Sequence, residues 1–82
     1  LNAYPNPFNS STTINFTLLY SSYAVLSVYD VSGRLVETLT EGFIQAGQHS
    51  VVWNGMSSVS GIYFVKLDAG KIHSIQKIVL VK

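Results

Sequence analysis

The feature that most constrains this chain is a two-residue period, restarted several times and interrupted each time by turn-forming residues. From Thr12 to Leu18, Ile14, Phe16 and Leu18 alternate with Thr13, Asn15 and Thr17, the pattern of a strand with one face buried. Tyr23 to Asp30 repeats it, with Ala24, Leu26 and Val28 on one face and Tyr23, Val25, Ser27 and Tyr29 on the other. Both segments are rich in strand-favouring residues. Asp30-Val31-Ser32-Gly33 predicts a turn, because an Asp carboxylate accepts from the backbone two residues on and Gly tolerates positive φ. Arg34 to Thr40 reads as the returning strand. Phe43 to Gly47 shows no period and reads as a connection between sheets. Gln48 to Trp53 sets His49, Val51 and Trp53 against Ser50 and Val52, and Asn54-Gly55 closes it. After the small, polar stretch Met56 to Ser60, Gly61 to Asp68 carries Tyr63, Val65 and Leu67 on one face, and Ala69-Gly70 turns the chain into Lys71 to Lys82. There Ile72 and Ile75 are out of phase with each other, which predicts a β-bulge near Ser74 or Ile75 before Ile78 and Leu80 resume the pattern.

No apolar spacing of 3.6 persists for the length of a helix. The expected fold is all-β: an antiparallel two-sheet, immunoglobulin-like sandwich of about seven strands, counting a short proline-rich edge segment at the start. Its expected core is Ile14, Phe16, Leu26, Val28, Val51, Trp53, Tyr63, Val65 and Leu67. A chain of 82 residues has room for one such core, so residues 1–82 form a single domain. Its opening on Leu1, without the pattern of a signal peptide, reads as a fragment of a longer protein.

Composition then removes whole classes of function. Charged residues are 11% and apolar residues 48%, which excludes disorder driven by charge. A net charge of +1 is too small to neutralise the phosphates that nucleic-acid binding requires. The longest late apolar run, Ile78 to Val81, is far short of the ~18 residues of a transmembrane segment. Without cysteine there is no disulfide, no thiolate nucleophile and no thiolate metal ligand. The two histidines lack ligand partners at metal-binding spacing, so no metal, cofactor or catalytic constellation is expected. His49, on the face of Val51 and Trp53, reads as a histidine bonded to backbone, Asp30 as a turn-former, and Tyr63 as a corner tyrosine.

The landmarks fall in a distinctive order: Tyr4-Pro5-Asn6-Pro7-Phe8-Asn9, then Val28-Tyr29-Asp30-Val31-Ser32-Gly33-Arg34-Leu35-Val36, then Ala46 to Gly55, Ser60-Gly61-Ile62-Tyr63-Phe64, and Lys77-Ile78-Val79-Leu80-Val81-Lys82. Together, over essentially the whole chain, they resemble the C-terminal sorting domain of the bacterial type IX secretion system, the type A sorting domain. The resemblance implies export of an upstream cargo domain in the same chain, through the periplasm and across the outer membrane, to the cell surface or beyond. It implies two partners, the outer-membrane secretion machinery and a sortase-like peptidase that exchanges the domain for a surface anchor, cutting at or before Leu1. On the family pattern Tyr4, Pro5, Asn6 and Pro7 match the start motif, Gly33, Arg34 and Val36 the central one, and Gly61, Tyr63, Lys77, Val79, Val81 and Lys82 the terminal ones.

Several readings stay open at this level. Tyr4 to Pro7 is either a pre-extended docking motif or a block on an edge strand. Arg34 is either recognised directly or paired with Asp30 or Glu37. Val25, Tyr29, Ile62, Phe64, Ile75, Val79 and Val81 fall opposite the core set, an apolar excess that calls for a partner or a weak homodimer. The alternative function is an accessory ligand- or carbohydrate-binding module, with Tyr20, Tyr23, Tyr29 and Phe64 as its aromatic platform.

Overall fold

A computed structural model describes every residue from Leu1 to Lys82. It contains seven strands: β1 Asn2–Tyr4, β2 Ser11–Leu18, β3 Ser22–Asp30, β4 Leu35–Ile44, β5 Gly47–Asn54, β6 Gly61–Ala69 and β7 Ile72–Leu80. They form two antiparallel sheets, one of order β1-β2-β5 and one of order β4-β3-β6-β7. The all-β sandwich expected from the alternation is the fold observed.

The inward residues come from every alternation described above. Ile14, Phe16, Leu26, Val28, Trp53, Tyr63, Val65 and Leu67 are buried. Val51 also faces inward, opposite Ile14, but is half-buried, because β5 is an edge strand with a neighbour on one side only. The core also takes in Leu18, Ala24, Ile78 and Leu80, which the alternation places on the inward side, and Phe8 and Ala69, which no period singles out. Trp53 is its centre. Phe8 and Tyr63 meet its ring edge-on, with centroids 5.7 and 5.3 Å away, and its Nε1–H donates to Glu37 Oε1 at 3.2 Å.

Two expectations need correction. Phe43 and Ile44 are strand, not connection: they pair with Tyr23 and Ser22, and only Gln45 and Ala46 pass between the sheets. The register of β3 against β4 shifts twice, leaving Leu39 and Val36 as extra residues on β4. From Thr40 to Ile44 the pairing is regular, but Gly42 takes an inward position and Phe43 an exposed outward one, so no apolar alternation marks the strand there. The bulge expected near Ser74 or Ile75 is absent. β6 and β7 pair without a shift from Ala69↔Ile72 to Gly61↔Leu80. Ile75 simply faces outward beside Lys66, while Ile72 keeps the inward phase but lies at the strand end, where it is exposed.

Candidate functional site

The proline-rich start of the chain does not remain beside its own sheet. β1 pairs with β2, but the next residues cross to the other sheet and lie along the outer edge of β7. Asn6 is the hinge of this contact: its Nδ2 donates to Lys77 O and its Oδ1 accepts from Val79 N–H, both at 3.0 Å. Phe8 continues it, donating its N–H to Val79 O at 2.9 Å and accepting from Val81 N–H at 2.8 Å, in a parallel bridge to Leu80. Pro5 O accepts from the buried Thr12 hydroxyl at 2.8 Å. The Tyr4–Pro5 and Asn6–Pro7 peptides are both cis. Phe8 is inserted so closely that a Cβ on Gly55 would stand 3.3 Å from its ring and 3.1 Å from Leu80. The start motif and the terminal motif are therefore one structural unit. Tyr4 itself points away from it and is 78% exposed.

The other motif residues gather at the same end. Tyr63, at the start of β6, donates its hydroxyl to Val59 O at 2.6 Å, the corner-tyrosine bond expected for such a sandwich. Gly61 pairs with Leu80. Lys82 ties the chain end to the preceding loop, through its N–H to Ser60 Oγ at 3.0 Å and its Nζ to Met56 O at 2.6 Å. A shallow recess lies between this corner and the turn carrying Gly33 and Arg34. In that turn Asp30 Oδ1 accepts from the Ser32 hydroxyl and from the N–H groups of Ser32 and Arg34, with Gly33 at φ +86°, a conformation that favours glycine. These bonds, the Ser32 hydroxyl foremost, hold the Asp30 carboxyl below its usual pKa. Arg34 pairs with Asp30 at 3.6 Å, and its side chain is 85% exposed. Val36 is not part of the cluster: it is an extra residue on β4, the opposite edge of the sheet from β7.

Beside this end, the outer face of the four-stranded sheet is apolar. The cross-strand registers set Leu35, Tyr29, Phe64 and Lys77 in one row, with Ile62 beside Val79 on one side of it and Ile75 beside Lys66 on the other. Tyr29, Val31, Phe64 and Ile75 line a groove of about 420 Å³. Further along the same face the side chains are mixed, with Val25, Tyr23 and the exposed Phe43 among charged neighbours. Lys66 and His73 pair with Asp68, and Tyr23 donates its hydroxyl to Glu41 Oε2 at 2.7 Å, which raises the phenol pKa. Tyr20 and Tyr23 therefore do not join Tyr29 and Phe64 in one platform. Tyr23 stands six positions along β3 from Tyr29, roughly 20 Å away.

His49 stacks on Phe16 at 5.3 Å and has Nε2 2.7 Å from Gln45 O. A carbonyl only accepts, so Nε2 carries the proton in that bond. No three His, Asp or Glu side chains converge as metal ligands. The site residues that sequence reasoning passed over are Phe8, Asn9 and Gly55. Phe8 and Asn9 stood inside the start motif, but no period marked Phe8 as core.

A family model described as the secretion system C-terminal sorting domain matches residues 2–82. No curated protein matches the sequence. A solved structure of PorZ, an essential bacterial surface component of the type-IX secretion system of Porphyromonas gingivalis, superposes with a TM-score of 0.66 at 20% identity. The match covers 99% of this chain and 11% of that one, so the likeness is one of fold over a small part of PorZ.

Proposed function

This chain belongs to the secretion system C-terminal sorting domain family, and from that premise we propose how its sorting signal for type IX secretion is read. A sorting domain is not catalytic in itself. Its output is recognition, leading to export to the cell surface or the extracellular space. The reading surface is the motif-bearing end of the sandwich with the apolar block beside it, from Tyr29 and Phe64 to Val79, flanked by Lys77. The outer-membrane secretion machinery docks there, burying side chains that cost free energy when left in water. Gly33 and Arg34 give this end a rigid turn with an exposed guanidinium. The cargo lies upstream in the same chain, passes through the periplasm with the domain, and is parted from it by a sortase-like peptidase acting at or before Leu1.

The observation that carries this reading is the placement of Lys77 to Lys82. One edge of that segment is occupied by the start motif, while the Lys77 and Val79 side chains stand beside Phe64 and Ile62 on the apolar face. The test fuses residues 1–82 to a periplasmic reporter in a bacterium with a working type IX system. Export of the intact fusion, reduced by Phe64→Lys and by Arg34→Ala in folded variants, is the expected result. Retention in the periplasm, while another sorting domain exports the same reporter, would overturn the sorting role. Export indifferent to Phe64→Lys would leave that role intact and remove the proposed face, which would then remain only as a surface for weak self-association.

A further inference from the structure

We propose that Asn54 is a modification site: its side-chain amide cyclises onto the Gly55 backbone nitrogen when the end of β5 opens, and the isoaspartate that results undoes the joint between the start motif and β7. The reaction consumes only water. Gly55 N bonds to Asn54 Cγ as the Cγ–Nδ2 bond breaks, and Nδ2 leaves as ammonia with the proton from Gly55 N–H. Water then cleaves one of two bonds of the succinimide. Cleavage between that nitrogen and Cγ leaves aspartate, whereas cleavage at the backbone carbonyl carbon leaves isoaspartate, whose main chain runs through the side chain and is one carbon longer.

The sequence singles out this asparagine. Of the five in the chain, Asn6 precedes a proline, which has no N–H to attack with, and Asn2, Asn9 and Asn15 precede Ala, Ser and Phe, whose Cβ crowds the nitrogen. Gly55 leaves it bare. The fold cannot give that glycine up, because a Cβ there would stand 3.1 Å from Leu80 and 3.3 Å from the Phe8 ring. In the closed structure both reacting groups are tied down: Gly55 N–H donates to Ser10 O at 2.7 Å, and Asn54 Oδ1 accepts from Met56 N–H at 2.9 Å. Attack requires the nitrogen to lose its proton and turn toward Cγ, so the bond to Ser10 must break first. Asn54 is exposed and is the last residue of β5, paired with Ser11, the first of β2. Strand ends open without global unfolding. Once isoaspartate forms, the added backbone carbon drives Gly55 against Phe8 and Leu80, which leave it no room. Aspartate keeps the backbone length and an oxygen for Met56 N–H, and the joint stays closed.

The experiment incubates the full 82-residue chain at mildly alkaline pH, folded and in concentrated urea. Each asparagine is followed by peptide mass mapping, and Gly55, Leu67, Val79 and Val81 by hydrogen exchange. In urea Asn54 should convert ahead of the other asparagines. In the folded chain it should convert at least about tenfold more slowly, with Gly55 exchanging by local opening, ahead of Leu67 in the central strand β6. The isoaspartate form, separated by chromatography, should lose exchange protection at Val79 and Val81, whose amides bond the start motif, while Asn54→Asp keeps it. The proposal fails if Asn54 converts no faster than Asn9 in urea, or equally fast folded and unfolded. It also fails if Gly55 exchanges only with global unfolding, or if the isoaspartate form keeps full protection at Val79 and Val81.

Discussion

The two outer faces of this sandwich are made by the same alternation and have opposite character. On the three-stranded sheet most outward residues are polar, Asn2, Thr13, Asn15, Thr17, Gln48 and Ser50, with Tyr4 and Val52 as isolated exceptions beside Thr13, and Asn15 receives from Ser50 at 2.6 Å and donates to Asn2 at 3.2 Å. On the four-stranded sheet the outward rows hold Leu35, Tyr29, Phe64, Ile62, Ile75 and Val79. The first face is mainly polar, with Asn15 bonded to residues of both neighbouring strands. The second has no comparable partners for its apolar groups, and apolar surface of this extent on a small domain marks an interaction site. Strand propensity alone does not distinguish them, since Thr, Tyr, Val and Ile all favour strands.

Both faces rest on one interior, so the largest effect abolishes the comparison altogether. Trp53→Ala should cost about 3–5 kcal/mol, comparable to the whole stability of a domain of this size. Denaturant unfolding should find it largely unfolded at 25 °C. Phe8→Ala empties the joint between the start motif and β7 and should cost about 3 kcal/mol, with lost exchange protection concentrated at Val79 and Val81. If the loss were spread evenly over both sheets, the joint would not be a local unit.

Substitutions on the faces themselves sharpen the contrast. Phe64→Lys should change stability by at most about 1 kcal/mol yet reduce export of the reporter. Asn15→Ala should also cost about 1 kcal/mol and leave export unchanged. Equal effects of the two on export would erase the functional difference drawn between the faces. The smallest effect concerns the turn beside the apolar block. Asp30 has a lowered pKa in the folded chain, so its contribution is complete above about pH 4 and is lost as pH falls through the folded value. The difference in unfolding midpoint between the parent and Asp30→Ala should therefore be present at neutral pH and shrink in acid.

Much of this architecture was legible because alternation is a local property. Ile14, Leu26, Val65 and Leu67 could be assigned to the interior from their immediate neighbours, and the Asp30 turn from residue chemistry. β4 was only partly legible: on this exposed edge strand Gly42 faces inward and Phe43 outward, the reverse of an apolar-in alternation, so Phe43 and Ile44 read as a connection. The bulge expected in β7 rests on Ile72 and Ile75 being out of phase, but an exposed Ile72 in the inward phase and an outward Ile75 both fit an uninterrupted register.

The sequence by itself determined the period, the turns, the order of the motifs and the side of each regular strand on which a residue falls, because successive side chains of a strand point to opposite faces. Only the tertiary structure decided that Asn6 and Phe8 close the edge of β7, 71 residues away in the case of Asn6 and Lys77, and that Gly55 makes room for that contact. Such pairings depend on which edges the folded sheets leave open and which cavity a ring can fill, and neither exists until both sheets have packed.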